Sequence, residues 1–288
     1  MGRGIVMFSK LSKRTRDSLS FSGWSVGIIS TFLTIVGYSL RDLFPNAGIV
    51  ANILAVLAAI MILFIAAYIF IGCKYKNRVG LTIRGTHIEI CCGDIFDMNG
   101  LRVIGCDTHF DTRVDNVVIS KTSLHGRLVL EHGDPASIKK AVKMAAQRLH
   151  LPKDQHGLYS FPLGSLVKYV NDKKEEFLML AMTELNKDYE SHTNMALFEQ
   201  MLMNMWKELD RVYNGEPIAI PLLGTGMTRF DDDRNKDNAS LLRCMLCTLN
   251  ASGVRLKSEV KIVIHDNHEK MPLYEFKDAL RIVPGSTH

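Results

Sequence analysis

Two stretches near the start of the chain, Phe21 to Leu40 and Ala47 to Gly72, contain no charged residue. Each reaches the roughly 20 residues that a helix needs to cross a bilayer. Only Arg41-Asp42-Leu43-Phe44-Pro45-Asn46 separates them, which is a turn and not a domain. The pattern predicts a two-helix transmembrane hairpin over 21–72, with spans at 21–40 and 47–72, behind a basic cytoplasmic segment at 1–20. A cleaved signal peptide does not fit, because the first run is too long, no Ala-x-Ala site follows and a second span comes at once. A buried core helix fits the second run poorly, since it is apolar on nearly every face.

Orientation follows from the flanks. Arg3, Lys10, Lys13, Arg14 and Arg16 precede the first run, Lys74, Lys76 and Arg78 follow the second, and the turn offers only Arg41 beside Asp42. That asymmetry puts both termini in the cytoplasm of a multi-pass inner-membrane protein. Trp24, Tyr38, Tyr68 and Tyr75 sit near the span ends, where amphipathic rings prefer to lie. The net charge is +5, but these flanking residues account for more than all of it. The basic excess therefore serves topology and anionic lipid, and no nucleic-acid partner is expected. Ala47, Ala51, Ala55 and Ala59 line one side of the second span. Such a line lets another helix approach closely, either the first span or a second subunit.

The six cysteines lie in or beside a domain assigned to the reducing cytoplasm, so no disulfide framework is expected. Cys244-Met245-Leu246-Cys247 has metal-ligand spacing, but it falls in an apolar helical stretch without a second such pair. It reads as buried helix cysteines, and no metal or cofactor is expected.

After a linker at 73–79, residues 80–288 read as a soluble α/β domain. Thr86 to Cys91, Leu101 to Gly105, Leu158 to Phe161, Leu166 to Val170, Glu176 to Met182, Ile218 to Leu223 and Val260 to Ile264 read as strands. Helices are expected from Asp134-Pro135 through Leu149, over Ser191 to Tyr213, over Ser240 to Ala251 and over Pro272 to Leu280. Such alternation predicts a mixed sheet between helices, with ligands at strand ends.

Glu216 to Phe230 is the most telling stretch. An apolar strand spills into Gly224-Thr225-Gly226, and a helix follows. Strand, glycine loop and helix can aim backbone N–H groups at a phosphate, or they can form a plain tight turn. Neither the Gly-x-x-x-x-Gly-Lys-Ser/Thr loop nor the Gly-x-Gly-x-x-Gly fingerprint is present.

Three strand ends together resemble a macro domain, the ADP-ribose-binding module. Gly93-Asp94-Ile95 resembles the macro Gly-Asp-Ile, whose aspartate accepts from the adenine amino group. Ile220-Pro221-Leu222-Leu223-Gly224-Thr225-Gly226, with Met227 after it, resembles the loop that wraps the diphosphate. Tyr159 to Leu166, with Gly164 inside, resembles the strand and turn in the middle of that fold. The similarity spans about Gly80 to Val283. Where macro domains carry Val-Asn-Ala-Ala-Asn beside the distal ribose, this chain has Gly105-Cys106-Asp107-Thr108-His109-Phe110-Asp111-Thr112. The asparagines that position ribose and water are absent, which weighs against an enzyme and leaves no catalytic residue to name.

The divergent segment from Phe110-Asp111-Thr112 through Ser123-Leu124-His125-Gly126, behind two spans, resembles the membrane-anchored macro effectors of type II Thoeris anti-phage systems. The resemblance implies a signal made by a partner TIR-domain protein, a histidine adduct of ADP-ribose, which the macro domain senses. It also implies a homo-oligomer that assembles and damages the lipid membrane. An alternative is a membrane-tethered ADP-ribosyl hydrolase or a general ADP-ribose reader. Asp94 can read an exocyclic amine or cap its own turn. Gly126, with Ser123 and His125 as polar neighbours, is assigned to the loop facing Gly224. Asp107, His109 and Asp111 form either an acid/base or metal cluster or, the reading we favour, carboxylates that recognise an imidazole and an amine at the distal end.

Overall fold

The computed structural model describes residues 13–35, 49–74, 78–154, 157–185, 191–226, 229–231, 237–265 and 273. The chain divides into two compact units, Met1–Lys76 with Met271–Glu275, and Asn77–Lys270 with Phe276–His288.

In the first unit, α1 (Lys13–Ile35) and α2 (Ile49–Lys74) lie against each other. Helix α1 starts two turns ahead of the expected apolar run, and the rest of that span with its turn lies outside the described residues. One described helix, α2 over Val50–Ile71, is long and apolar enough to cross a membrane, where the sequence predicts two. The described part of α1 covers only Phe21–Ile35 of the first run, begins in the basic segment before it, and carries many hydroxyl side chains. Several of those hydroxyls bond back to their own helix, as Thr31 Oγ1 does to the Gly27 carbonyl at 2.8 Å. On α2, Asn52 and Ala67 are buried. Ala51 and Ala59 of the small-residue line are exposed, and Ala47 lies outside the described residues.

The second unit is a mixed sheet. Its strands are β1 (Arg78–Ile83), β2 (Thr86–Cys92), β3 (Leu101–Asp107), β4 (Leu166–Val170), β5 (Glu176–Leu185), β6 (Ser191–Thr193), β7 (Ile218–Pro221), β8 (Arg229–Phe230) and β9 (Val260–Ile264). The spatial order is β1-β2-β9-β7-β3-β5-β6-β8, with β4 also paired to β5. The five strands from β2 to β5 run parallel, through Ile88↔Val260, Ile218↔Val260, Leu101↔Ile218 and Arg102↔Phe177. Strands buried on both faces need no alternation, and all four residues of β7 are buried.

Caps set the helices where the sequence signals them. Asp134 accepts from the Ser137 N–H at 2.8 Å with Pro135 in the first turn, opening α4 (Pro135–Arg148). Helix α3 (Leu124–Arg127) precedes it and widens into a π-type turn over Leu128–His132. Asn194 caps α5 (Met195–Val212) and Asp237 caps α6 (Asn238–Ser252). One core layer joins Ile138, Val142 and Ala146 of α4 to Ile104, Tyr169, Phe177 and Met179 of the sheet. Helices α5 and α6 pack together, where Trp206 Nε1 donates to Thr248 Oγ1 at 3.1 Å.

The helix expected from Ser191 starts only at Met195, because residues 191–193 pair with β5 and β8 as β6. The strand expected over Leu158 to Phe161 is reduced to one bridge, Lys153 with Tyr159, and Phe161 instead packs edge-on against Phe110. Strand β1 was not anticipated; it forms a hairpin with β2 through Arg84 and Gly85, both at positive φ. Of the expected helix over Pro272 to Leu280, only Leu273 is described.

Candidate functional site

Parallel strands β2, β9, β7 and β3 end on one edge of the sheet. They deliver Gly93-Asp94, His265, Leu222 to Gly226 and Asp107 in that spatial order. At the usual strand spacing the outer two ends lie about 14 Å apart. Crevices outside the carboxyl ends of parallel strands are where such sheets bind ligands.

At the β2 end, the Gly93 N–H carries the pairing with β9 one residue past the strand, donating to the Ile264 carbonyl at 3.0 Å. Asp94 caps the 3-10 turn Ile95–Asp97, and its Oδ1 accepts from the Phe96 N–H at 3.0 Å. Its Oδ2 pairs with Arg127 Nη1 at 2.9 Å. Burial works to raise the Asp94 carboxyl, but the Phe96 N–H and the Arg127 guanidinium together hold it below the usual carboxylate range. Ile95 is buried and belongs to the core.

Gly224 sits at φ +85°, a conformation that a Cβ strains, and turns the chain out of β7. The Thr225 hydroxyl donates to the Leu222 carbonyl at 2.9 Å, bracing the turn from inside. Leu223 is buried, while Thr225 and Gly226 are exposed. Among the described residues, none accepts a hydrogen bond from the N–H of Gly224, Thr225 or Gly226. Met227 lies outside the described residues.

At the β3 end, Asp107 is buried, and its two oxygens accept the N–H groups of His109 at 2.7 Å and Asp111 at 3.3 Å. His109 Nδ1 and His125 Nδ1 each stand 3.8 Å from it, and His109 Nε2 is 3.8 Å from Asp154. The Asp111 carboxylate accepts from the Thr112 and Arg113 N–H groups. Both carboxylates thus spend oxygens on their own loop. Burial of the imidazole lowers the His125 pKa against the opposing pull of Asp107 and Asp111, which leaves the ring neutral near pH 7. Ser123 caps α3 by accepting from the Gly126 N–H at 3.0 Å, and donates to the Ser120 carbonyl at 2.7 Å. Gly126 is buried, and a Cβ there would stand 2.0 Å from that same carbonyl. The contacts of Gly126 are therefore those of close packing, and Leu124 packs against the core.

Among the described residues, no group of histidine, cysteine, aspartate or glutamate side chains is arranged to hold a metal ion. Cys244 is buried on α6, with Cys247 half-buried one turn on. Sequence reasoning missed Arg127 and Phe96. The one available signal was the spacing of Arg127 to Glu131, an i,i+4 pair that the structure forms at 3.3 Å.

A mixed sheet with a parallel centre, an aspartate after β2 and a glycine turn after β7 on one edge defines a macro-type domain. The chain belongs to the family described as Thoeris protein ThsA, Macro domain, whose sequence model matches residues 88–265. It is similar to the Thoeris protein ThsA of Bacillus amyloliquefaciens (strain Y2), with 28% identity over 282 residues, covering 93% of this chain and 92% of that protein. Among solved structures it is similar to a glycine-to-valine mutant of the Oceanobacillus iheyensis macrodomain with ADPR. The TM-score there is 0.50 at 16% identity, covering 71% of this chain and 97% of the other, a likeness of fold alone.

Proposed function

We propose that the sheet unit senses an ADP-ribose nucleotide laid along the strand-end edge, and that the helical unit turns this binding into membrane damage as an anti-phage defence. The observation that carries the reading is the line of Asp94, the N–H groups at Gly224 to Gly226, for which no described residue is an acceptor, and the Asp107 loop on one edge. An adenine amine at Asp94 and a diphosphate at Gly224 suit these groups chemically, since a carboxylate accepts and N–H groups donate. The similarity to a Thoeris protein supports the defence role, with a partner TIR-domain protein making the signal. The signal is a histidine adduct of ADP-ribose, and the protein is a sensor that leaves it intact. Both termini are cytoplasmic, α1 and α2 form a membrane hairpin, and copies assemble when the nucleotide is bound. That coupling requires the assembled state to bind the nucleotide more tightly.

The test is calorimetric titration of the full chain in lipid vesicles with ADP-ribose and with its histidine adduct, with mass spectrometry of the recovered nucleotide and release of a trapped dye. Preference for the adduct, recovered intact and releasing dye, supports the proposal. Turnover of either nucleotide points to the tethered hydrolase, and equal binding without dye release to a general ADP-ribose reader.

A further inference from the structure

Asp94 is not held by its own loop alone. Arg127, delivered from α3 some 33 positions later in the chain, closes on it at 2.9 Å. The same guanidinium lies 4.5 Å from the centre of the Phe96 ring, and its Nε reaches Glu131 at 3.3 Å. Phe96 in turn stacks with His132, ring centres 4.2 Å apart and nearly parallel, and His132 follows Glu131 at the end of the same helical segment. The planar fork is thus fixed by a carboxylate on each side and a ring across its face, which a flexible ammonium cannot reproduce fully. With Oδ1 given to the Phe96 N–H and Oδ2 to Arg127, the carboxylate has one orientation, and each oxygen retains a lone pair. Asp94 and Arg127 both keep about a quarter of their side chains exposed, so a nucleotide can reach the pair.

We infer that Arg127 is a positioning residue for base recognition, orienting Asp94 so that it accepts from a 6-amino purine and rejects a 6-oxo one. An ionised carboxylate only accepts, so it pairs with an amine and repels a carbonyl oxygen. A carboxylate free to rotate makes that distinction less sharply. This rests on the proposed adenine contact at Asp94, and the experiment separates the two.

The full chain and its variants Asp94→Ala, Arg127→Gln and Arg127→Lys are titrated with ADP-ribose and with inosine diphosphate ribose, across pH. Arg127→Gln is expected to lower ADP-ribose affinity about tenfold while leaving the weaker inosine nucleotide little changed. Arg127→Lys should restore part of the preference, because the charge remains and the fork does not. Removing the guanidinium also lets the Asp94 carboxyl rise, so the acid limb of ADP-ribose affinity should move to higher pH in Arg127→Gln, which a purely structural role would not do. If Asp94→Ala abolishes the preference for adenine and Arg127→Gln keeps it, the inference is overturned while the adenine contact stands. If Asp94→Ala keeps the preference, both fall. Equal weakening of the two nucleotides by Arg127→Gln would assign Arg127 to the phosphates or the fold, and overturn the inference.

Discussion

Asp94 and Asp107 occupy matching positions, each a carboxylate where a parallel strand gives way to a loop on the same edge. Their surroundings differ in kind. Asp94 is about a quarter exposed and gives one oxygen to a turn and the other to a side chain from elsewhere in the fold, Arg127. Asp107 is buried, with both oxygens on backbone N–H groups and two imidazoles beside it. The difference is one of access: Asp94 gives one oxygen to its own turn and stays partly open, whereas Asp107 gives both to its own loop and is buried. On the proposed reading, the β2 end presents its carboxylate to the nucleotide and the β3 end chiefly orders a loop.

The strongest way to break this contrast is Asp107→Ala. It removes the acceptor of two N–H groups, those of His109 and Asp111, in a half-buried loop and leaves a gap at a buried position, and should cost the sheet unit about 3 kcal/mol, read as a lowered denaturant midpoint. Stability like that of the unsubstituted chain, with lost nucleotide binding, would make Asp107 a reader after all. Gly126→Ala attacks the same end from the other side. A methyl group meeting the Ser120 carbonyl at 2.0 Å forces the backbone apart, and a loss of about 2 kcal/mol is expected by the same measurement. Asp94→Ala should behave oppositely, costing about 1 kcal/mol of stability through its cap, while ADP-ribose affinity in titration falls about 10- to 100-fold.

Acid sharpens the comparison further. His125 has a folded pKa below its ordinary value of 6.5, because burial disfavours the charged ring. The unfolded chain therefore binds the proton first, and stability should fall as pH drops through about 6.5. Asp94 has a folded pKa held down, so its contribution is present above the ordinary carboxylate range and is lost only as pH falls through the lowered value. Denaturation followed against pH should show the His125 step first, and His125→Asn should remove it. The smallest effect separates two glycines of one loop. Gly224→Ala, at φ +85°, should cost about 1 kcal/mol, whereas Gly226→Ala, with nothing within 4 Å of its Cβ, should leave the denaturant midpoint nearly unmoved.

The strand ends were legible because they are punctuated. Gly93-Asp94, Gly224-Thr225-Gly226 and Asp134-Pro135 each combine an apolar run with a turn or cap residue, and all three fall where the sequence puts them. Short, solvent-edged pieces were not legible. Strand β1 begins with an exposed Arg78, and β6 has three residues, too few for a period to show. The Arg127 contact joins residues 33 positions apart, and no local pattern encodes it. The loop from Asp107 to Asp111 reads as a binding cluster from its composition. Its hydrogen bonds run to its own backbone, which only the folded geometry reveals.

The contrast between the two ends is tested most directly by a crystal structure of the chain with ADP-ribose bound. The account predicts the adenine amine about 3 Å from the Asp94 carboxylate and the diphosphate on the N–H groups of Gly224 to Gly226. Adenine seated at the Asp107 loop, or a nucleotide away from this edge, would contradict it.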